Sequence, residues 1–230
     1  TGVDEGIAFE EYLEKHKFSR DGVINRNTDW NAFGIAIKVL TPTNKQLERL
    51  LKLYHKETGD TAYTADRKED WSKNIKDIIS EESQASFKFK QDTSHKNGSS
   101  ITSLISYKEK RFLLLADSHP KAVCKSLEEM GHSASNPVQV EFMQVSHHGS
   151  KANNNQELFD MIDTENYIIS TNRSGHGHPH KSTIARIVAK NPNATIYFNY
   201  ENVVNNILTN QDRIDFPNLK TELISEYQIN

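Results

Sequence analysis

Apolar residues recur at helical spacing within several charged stretches of the chain. In the clearest of them, TNKQLERLLKLYHKE, Leu47, Leu50 and Leu51 share one face, and Thr43 and Gln46 have the spacing of a capping box. This pattern predicts an amphipathic helix that packs its leucines against a core. Shorter stretches with the same spacing predict further helices, over 6–17, 70–80, 118–131, 155–162 and 182–190.

A second pattern, in which apolar residues alternate with others, predicts strands between these helices. Ile35, Ile37 and Val39 alternate in FGIAIKVLTP, and Pro42 ends that segment. Only KEK separates SSITSLISY from RFLLLAD, so we expect these two segments to form a hairpin. Further extended segments are predicted at 138–146, 166–170, 194–200, 205–209 and 220–226.

The order of the predicted elements indicates the fold class. Strands that alternate with helices predict an α/β fold, in which a mixed sheet is flanked by helices. The length of 230 residues fits one domain over residues 1–230. The stretch at about 80–98 is rich in Ser, Lys and Gln, and we expect it to be a solvated loop or a strand edge.

Composition narrows the functional classes only slightly. The apolar runs are far shorter than the ~18 residues of a membrane span, so no membrane segment is expected. The net charge of −3 supplies no long-range attraction for a polyanion, so any contact with nucleic acid must be local. A single cysteine, Cys124, excludes an internal disulfide and favours a reducing compartment, and we therefore expect a cytoplasmic protein.

Histidines are concentrated in two short loops that contain glycine, QVSHHGS and SGHGHPH. Each loop follows a predicted strand, as Asp117 does, and sites in layered α/β folds collect at the carboxyl ends of strands. Imidazole nitrogens and carboxylate oxygens are donors that Zn²⁺ and similar ions accept. We therefore predict a metal site at these strand ends, with candidate ligands Asp117, His147, His148, His176, His178 and His180.

Structural explanations stay open for the same residues. Asp117 could serve only as a cap for the helix that follows it. His147 and His148 are adjacent, so in an extended chain they face opposite ways and only one of them can reach a given ion. The GHGHPH loop could be a surface loop that takes up metal adventitiously.

Charged and polar residues flank the two histidine loops. Arg173, Lys151 and Lys181 are cations that could contact phosphate oxygens, and Ser150 and Asn172 are neutral donors. Each of them could equally be an ordinary surface side chain. Because they stand together beside the histidines, we predict substrate contacts from Ser150, Asn172, Arg173 and Lys181, with Lys151 as a further candidate.

Three segments occur in a familiar order: NGSSITSLISYKEKRFLLLADSHP, VSHHGS and IISTNRSGHGHPHKSTIARI. Together they resemble the C-terminal half of metallo-β-lactamase-fold hydrolases of the ComEC-like branch, which includes the metallo-hydrolase domain of a DNA-uptake competence protein. The likeness covers roughly residues 35–190, well beyond a single motif. The resemblance implies the C-terminal part of an αββα sandwich with a hydrolytic site for one or two metal ions.

The resemblance also implies roles for individual residues. The aspartate of the family's GD motif falls on Asp117, which would bind or bridge metal. The histidine of the HHGS motif falls on His147 or His148, and the histidine of the GHP motif falls on His178. Asn97 and Ser100 match a pattern that opens a strand in the family, which implies a structural role for both.

Two features depart from the family pattern. Ala116 stands where the family has glycine before the aspartate, a small change that is expected to leave Asp117 in place. The family's leading HxHxDH motif, which supplies most of the metal ligands, does not occur in this chain. Because the chain also begins at Thr1 rather than Met, we expect the first sheet and its ligand loop to precede Thr1 as a missing N-terminal half of the same domain.

The resemblance implies metal-assisted hydrolysis of a phosphodiester or another small ester, with nucleic acid among the candidate partners. One or two Zn²⁺ or Mn²⁺ ions held by Asp117, His147 and His178 would generate hydroxide from bound water at neutral pH. His148 would act on the leaving group or on a phosphate oxygen. This chain alone is expected to bind metal weakly and to be inactive.

Two other functions remain open on the same scaffold. One is a non-catalytic binding or regulatory module with a vestigial site, and the other is an esterase or phosphorylcholine-type hydrolase. An HxHxDH motif upstream of Thr1 would favour an enzyme, and its absence there would favour the module.

Overall fold

The computed structural model describes residues 3–18, 22–56, 70–173 and 177–227. The helices in these ranges are α1 (Val3–Lys15), α2 (Asn44–Lys56), α3 (Ile75–Glu82), α4 (His95–Gly98), α5 (Pro120–Glu129), α6 (Gln156–Asp160), α7 (Lys181–Lys190), α8 (Glu201–Asn206) and α9 (Asn210–Asp215). The strands are β1 (Asp29–Ala32), β2 (Ile35–Thr41), β3 (Thr102–Tyr107), β4 (Lys110–Leu114), β5 (Val138–Gln139), β6 (Phe142–Gln144), β7 (Ile162–Asp163), β8 (Asn166–Ile169), β9 (Thr195–Phe198) and β10 (Lys220–Leu223).

The predicted α/β fold, a mixed sheet flanked by helices, is confirmed. The main sheet has the strand order β1-β2-β3-β4-β6-β8-β9-β10, and β5 and β7 form a separate parallel pair. Strands β1 to β4 pair antiparallel, and the predicted β3–β4 hairpin is among these pairs. From β4 to β10 the neighbouring strands are parallel. Strands β4, β6 and β8 therefore end at one edge of the sheet, which we call the carboxyl edge.

One face of the main sheet holds the hydrophobic core. Leu104, Leu113, Met143, Tyr167 and Ile196 stand side by side on neighbouring strands. Each is at most 5% exposed, and all belong to one core cluster with apolar residues of α3, α5, α6 and α7. Their neighbours along β8 and β9 are half-buried, which is the alternation expected of a sheet covered more closely on one side.

The opposite face of the sheet is also apolar but more exposed. Ile37 and Ile105 are paired there and half-buried, and Trp30 beside them is 46% exposed. Towards the parallel strands, the ring of Phe142 lies 5.1 Å from those of both Phe112 and Tyr227. None of these residues belongs to the core cluster.

The capping box predicted for α2 is confirmed. The Thr43 N–H donates to Gln46 Oε1 at 2.8 Å, and the Gln46 N–H donates to Thr43 Oγ1 at 3.3 Å. Cys124 is buried in α5, and burial raises the pKa of its thiol to about 12. No helix among the described residues has the length and apolar character that crossing a membrane would require.

Several predicted element boundaries are wrong, and in each case a side-chain contact gives the reason. The helix predicted over 70–80 begins only at Ile75, because the Asp70 carboxylate accepts the N–H groups of Lys181 and Ser182 instead. The extended segment predicted at 205–209 is helical up to Asn206, and Thr209 then caps α9 in a capping box.

Two further predictions need correction. The strand predicted at 138–146 is split between two sheets, as β5 and β6. The polar stretch at about 80–98 is not solvated throughout, because Asp92 within it is 0% exposed. The Asp92 N–H donates to the Ala152 carbonyl at 3.0 Å, which anchors this stretch beside the loop that follows β6.

Candidate functional site

Three of the predicted site residues lie in the connections at the carboxyl edge. Asp117 follows β4, His147 follows β6, and His178 lies in the connection that follows β8. The His147 N–H donates to the Ala116 carbonyl at 2.7 Å, which joins the first two loops. The rings of His147 and His178 are 5.0 Å apart between centroids and nearly perpendicular, which brings in the third loop.

The HHGS segment forms a left-handed turn rather than the extended chain considered for it. His147, His148 and Gly149 have φ values of 46°, 54° and 81°. Left-handed conformations cost energy for residues with a Cβ, and such strain concentrates at functional sites. A Cβ on Gly149 would lie 2.6 Å from Cβ of Pro179, so the glycine lets the two histidine loops touch.

The residue before Asp117 also adopts a left-handed conformation. Ala116 has a φ of 48°, which is the backbone region that favours glycine. Gln144 at the end of β6 fixes this backbone, because its Oε1 accepts the N–H groups of Leu115 and Ala116 at 3.0 and 3.1 Å. Asp117 is thereby held in place without a glycine before it.

Behind His147 lies Asp92, a buried carboxylate that the sequence analysis missed. Asp92 Oδ2 accepts from the side-chain amides of Asn97 and Asn153, each at 2.8 Å. The same oxygen lies 3.6 Å from His147 Nδ1, and Oδ1 lies 3.7 Å from His119 Nε2. Asp92 therefore joins the loop before α4 to the loops that follow β4 and β6.

The ionisable groups in this cluster stabilise one another's charged forms. Burial by itself would raise the pKa of Asp92, but contacts with two imidazoles and two amides outweigh burial and hold the pKa below its usual range. Burial would likewise lower the pKa of His147, but Asp92 and the charge of Asp117 outweigh it and raise that pKa. The Asp117 carboxylate therefore acts electrostatically on the His147 ring.

Asn153 fixes the orientation of the His147 ring. Its Oδ1 lies 3.0 Å from His147 Nδ1, and its Nδ2 donates to Asp92 and to the Asp117 carbonyl. An amide oxygen only accepts, so His147 Nδ1 carries the hydrogen. In the neutral ring, Nε2 then has the lone pair that a metal ion or a proton can take.

His148 is held in a similar way on the exposed side of the turn. Its Nδ1 lies 2.6 Å from the Ser170 carbonyl oxygen, which can only accept, so Nδ1 is the donor. The side chain is exposed. In the neutral ring, Nε2 therefore has the lone pair, and solvent can reach this ring.

The GHGHPH loop supplies two buried imidazoles. His178 is 6% exposed and His180 is 1% exposed, and their ring centroids are 5.0 Å apart. His180 Nδ1 accepts the Lys151 N–H at 3.3 Å, which ties the ring to the first histidine loop. His176 lies outside the described residues.

The residues predicted to contact substrate have different surroundings. Ser150 is 0% exposed, and its Oγ accepts the Ala152 N–H at 3.3 Å, so it stabilises the turn. The Arg173 guanidinium lies over the Trp71 ring, 3.8 Å from its centroid, in a cation–π contact. Asn172 is exposed, and its carbonyl accepts from Asn202.

Lys181 is not a surface cation. Its side chain is 0% exposed, its Nζ lies 2.5 Å from Asp212 Oδ2, and it donates to the Trp71 carbonyl at 3.1 Å. A contact with substrate would require this buried ion pair to break, at a cost of several kcal/mol. We therefore remove Lys181 and the buried Ser150 from the predicted substrate contacts.

The donor chemistry at the carboxyl edge suits a metal ion, but the set is incomplete. Asp117, His147 and His178 offer the oxygen and nitrogen atoms that Zn²⁺ and Mn²⁺ accept. Within residues 3–18, 22–56, 70–173 and 177–227, however, no three or more His, Cys, Asp or Glu side chains form a group that could hold an ion. The described residues do not make a closed metal site by themselves.

Comparison with family models, with curated proteins and with solved structures gives no match for this chain. The geometry of the carboxyl edge is therefore the main evidence on function.

Proposed function

We propose that this chain carries part of the active site of a metal-dependent hydrolase of the metallo-β-lactamase superfamily that acts on phosphodiesters. The observation that carries the proposal is that Asp117, His147 and His178 lie in the connections that follow three adjacent parallel strands, with the His147 ring 5.0 Å from the His178 ring and under the influence of the Asp117 charge. A carboxylate and imidazoles at this position are what the resemblance to the ComEC-like branch requires.

In this proposal the chain's own residues prepare the site for an ion. Asp92 and Asn153 hold the His147 ring by Nδ1, so that Nε2 is the atom offered to the ion. Asp117 adds negative charge next to that ring. One or two Zn²⁺ or Mn²⁺ ions bound there would supply an activated water at neutral pH.

His148 has the second role in the proposal. Its ring is exposed and is oriented by the Ser170 carbonyl, so Nε2 can hydrogen-bond a phosphate oxygen or the leaving group. Arg173 is one of the cations that stay beside the histidine loops, and the Trp71 ring beneath it limits its motion. A held guanidinium loses less entropy than a mobile one when it binds a phosphate.

The remaining ligands would come from a segment that carries the HxHxDH motif and precedes Thr1. Two observations support this part of the proposal. The described residues lack a closed ligand set, and the second face of the main sheet is apolar and partly exposed around Trp30, Ile37 and Ile105. A second sheet packed on this face would bury those side chains and complete an αββα sandwich.

The test is a hydrolysis assay on the full translation product of the gene, with Mn²⁺ or Zn²⁺ added. The substrates are bis(p-nitrophenyl) phosphate, a single-stranded oligonucleotide and a carboxyl ester. We expect turnover of the phosphodiesters, abolished in Asp117→Ala and in His147→Ala and retained in His132→Ala, which alters a half-buried histidine after α5. Turnover of the carboxyl ester alone would favour the esterase, and metal binding without any turnover would favour the regulatory module.

A further inference from the structure

A second constellation of residues lies beside the histidine loops, in the segment that connects α3 to α4. Phe87, Lys88, Phe89 and Lys90 alternate aromatic and basic side chains in the sequence FKFK. Both lysines are exposed, and Phe87 is 38% exposed although it is a large aromatic residue. We call these four residues the FKFK strap.

The strap forms one wall of a cavity of about 320 Å³. The other walls come from α3, from the start of α7 and from the loop after β6, with Ile78, Glu82, Ser182, Arg186 and Lys151 among the lining residues. A second cavity, of about 500 Å³, lies against α3, α6 and α7 and shares Phe87 and Phe89 with the first. Both volumes are in the range of small-molecule sites.

Among the residues that the structure describes, the lining of the first cavity holds five basic side chains and three acidic ones. The acidic side chains already have partners within the fold. Glu81 pairs with Lys73 at 2.7 Å, and Glu82 pairs with Arg186 at 2.6 Å. Asp70 accepts the first N–H groups of α7. The described lining therefore carries more positive than negative charge, to which Lys88, Lys90 and Lys151 contribute, and this suits an anionic ligand.

The aromatic side chains indicate a second property of that ligand. Phe87 stands between the two cavities with its ring partly exposed, and Phe89 packs with the Arg186 guanidinium, 5.3 Å from the ring centroid. A planar base can stack on an exposed aromatic ring while its phosphates meet lysines. We propose that this cavity is a nucleotide-binding site, which takes phosphate groups on Lys88, Lys90 and Lys151 and a base against Phe87.

The position of the cavity connects it to the carboxyl edge. Lys90 is two residues before Asp92, and Ser182 is two residues after His180. The Lys151 N–H donates to His180 Nδ1 at 3.3 Å, and the His180 ring is 5.0 Å from that of His178. A nucleotide in the cavity therefore lies next to both histidine loops, either as a free nucleotide or as one residue of a single strand.

The test measures binding to the 230-residue chain by calorimetry, in the presence of EDTA so that no turnover is required and the result is independent of the proposed hydrolysis. The probes are ATP, AMP, tripolyphosphate and an oligothymidylate of about twelve residues. Saturable binding of ATP and AMP but not of the oligomer would identify a pocket for free nucleotides. Binding of the oligomer in competition with ATP would identify a pocket for a strand, and either result supports the proposal.

Variants distinguish this site from general charge attraction. Lys88→Gln/Lys90→Gln is expected to weaken ATP binding by about tenfold or more, and Phe87→Ala by about fivefold or more. The matched control is Lys108→Gln/Lys220→Gln, which removes two exposed lysines at the opposite edge of the sheet and should leave the affinity unchanged. All three variants should retain the far-ultraviolet circular dichroism of the parent chain.

Three results would overturn the proposal. The first is that none of the nucleotide probes binds. The second is that tripolyphosphate binds as tightly as ATP, because the contact of the base with Phe87 would then contribute nothing to the affinity. The third is that the control variant weakens ATP binding as much as the Lys88→Gln/Lys90→Gln variant does, because general charge would then explain it.

Discussion

Asp92 and Asp212 are both 0% exposed, and each carboxylate connects segments that are distant in sequence. Asp212 pairs with Lys181 and accepts the N–H groups of Ile75 and Thr209 at 2.7 Å each. Within the part of the chain that the structure describes, Asp92 contacts no lysine or arginine side chain and relies on two imidazoles and two amides.

The two sets of partners give the two carboxylates different roles. Lys181 is enclosed with Asp212, so this pair fixes α7 to α3 and α9 and has no exposed side. The partners of Asp92 include a side chain that solvent reaches, because its Oδ2 lies 3.6 Å from Nδ1 of the partly exposed His147 in the loop that follows β6. A buried acid paired with a buried lysine indicates structure here, whereas a buried acid that orients ring nitrogens is typical of a functional site.

The largest effect is expected from breaking the Lys181–Asp212 pair. Lys181→Met leaves Asp212 buried without its cation, and we expect the free energy of unfolding to fall by about 3–5 kcal/mol in urea titration. Lys76→Met, on the exposed face of α3, should change it by less than about 0.5 kcal/mol. If Lys181→Met resembles this control, Lys181 is not the structural residue described.

A smaller and pH-dependent effect is expected from Asp92→Asn. The pKa of Asp92 is lowered in the folded protein, so its ionised form stabilises the fold above the ordinary carboxyl pKa of 3.8 and loses this effect as the pH falls through the lower folded value. We expect a loss of about 2 kcal/mol at pH 7 that shrinks steadily below about pH 4. Urea titration across this range, with the exposed Asp163→Asn as control, measures the difference.

A pH-independent loss would contradict the assignment of Asp92 as the ionised member of the cluster. A loss equal to that of Asp163→Asn would show that its contacts contribute nothing to stability.

The smallest effect concerns the contact between the two histidine loops. Gly149→Ala and Gly131→Ala both place a Cβ at positive φ, 81° and 88°, but only the Cβ at position 149 would meet another residue, Pro179. We expect Gly149→Ala to cost about 1 kcal/mol more than Gly131→Ala, because overpacking adds to backbone strain. Equal losses of stability in the two variants would mean that a Cβ at position 149 does not overpack against Pro179.

The sequence predicted the regular part of the fold because period and capping are local properties. The α2 capping box and the β3–β4 hairpin depend on residues that are close together in the chain. The ends of β4, β6 and β8 were also predictable as the site, since parallel strands present their carboxyl ends at one edge. The left-handed φ values at Ala116, His147 and His148 were not predictable, because tertiary hydrogen bonds impose them, such as the one that the Ala116 N–H donates to Gln144 Oε1.

The roles of Asp92 and Lys181 were not predictable, because both depend on partners that are distant in sequence. Lys181 stood next to the histidines and resembled a substrate contact, but Asp212 in α9 encloses it. Asp92 stood in a polar stretch and resembled a surface residue. One indication was present: Asp92 and Ser94 form an Asx-type turn before α4, in which the Ser94 N–H donates to Asp92 Oδ1 at 2.8 Å.

The central claim is that Asp117, His147 and His178 share one ion-binding edge, and Mn²⁺ titration of histidine-labelled protein tests it most directly by nuclear magnetic resonance. We expect weak binding that selectively broadens the ring signals of His147 and His178, leaves those of His132 unchanged, and is lost in Asp117→Ala. Equal broadening of all histidine signals, or selective broadening that persists in Asp117→Ala, would contradict the account.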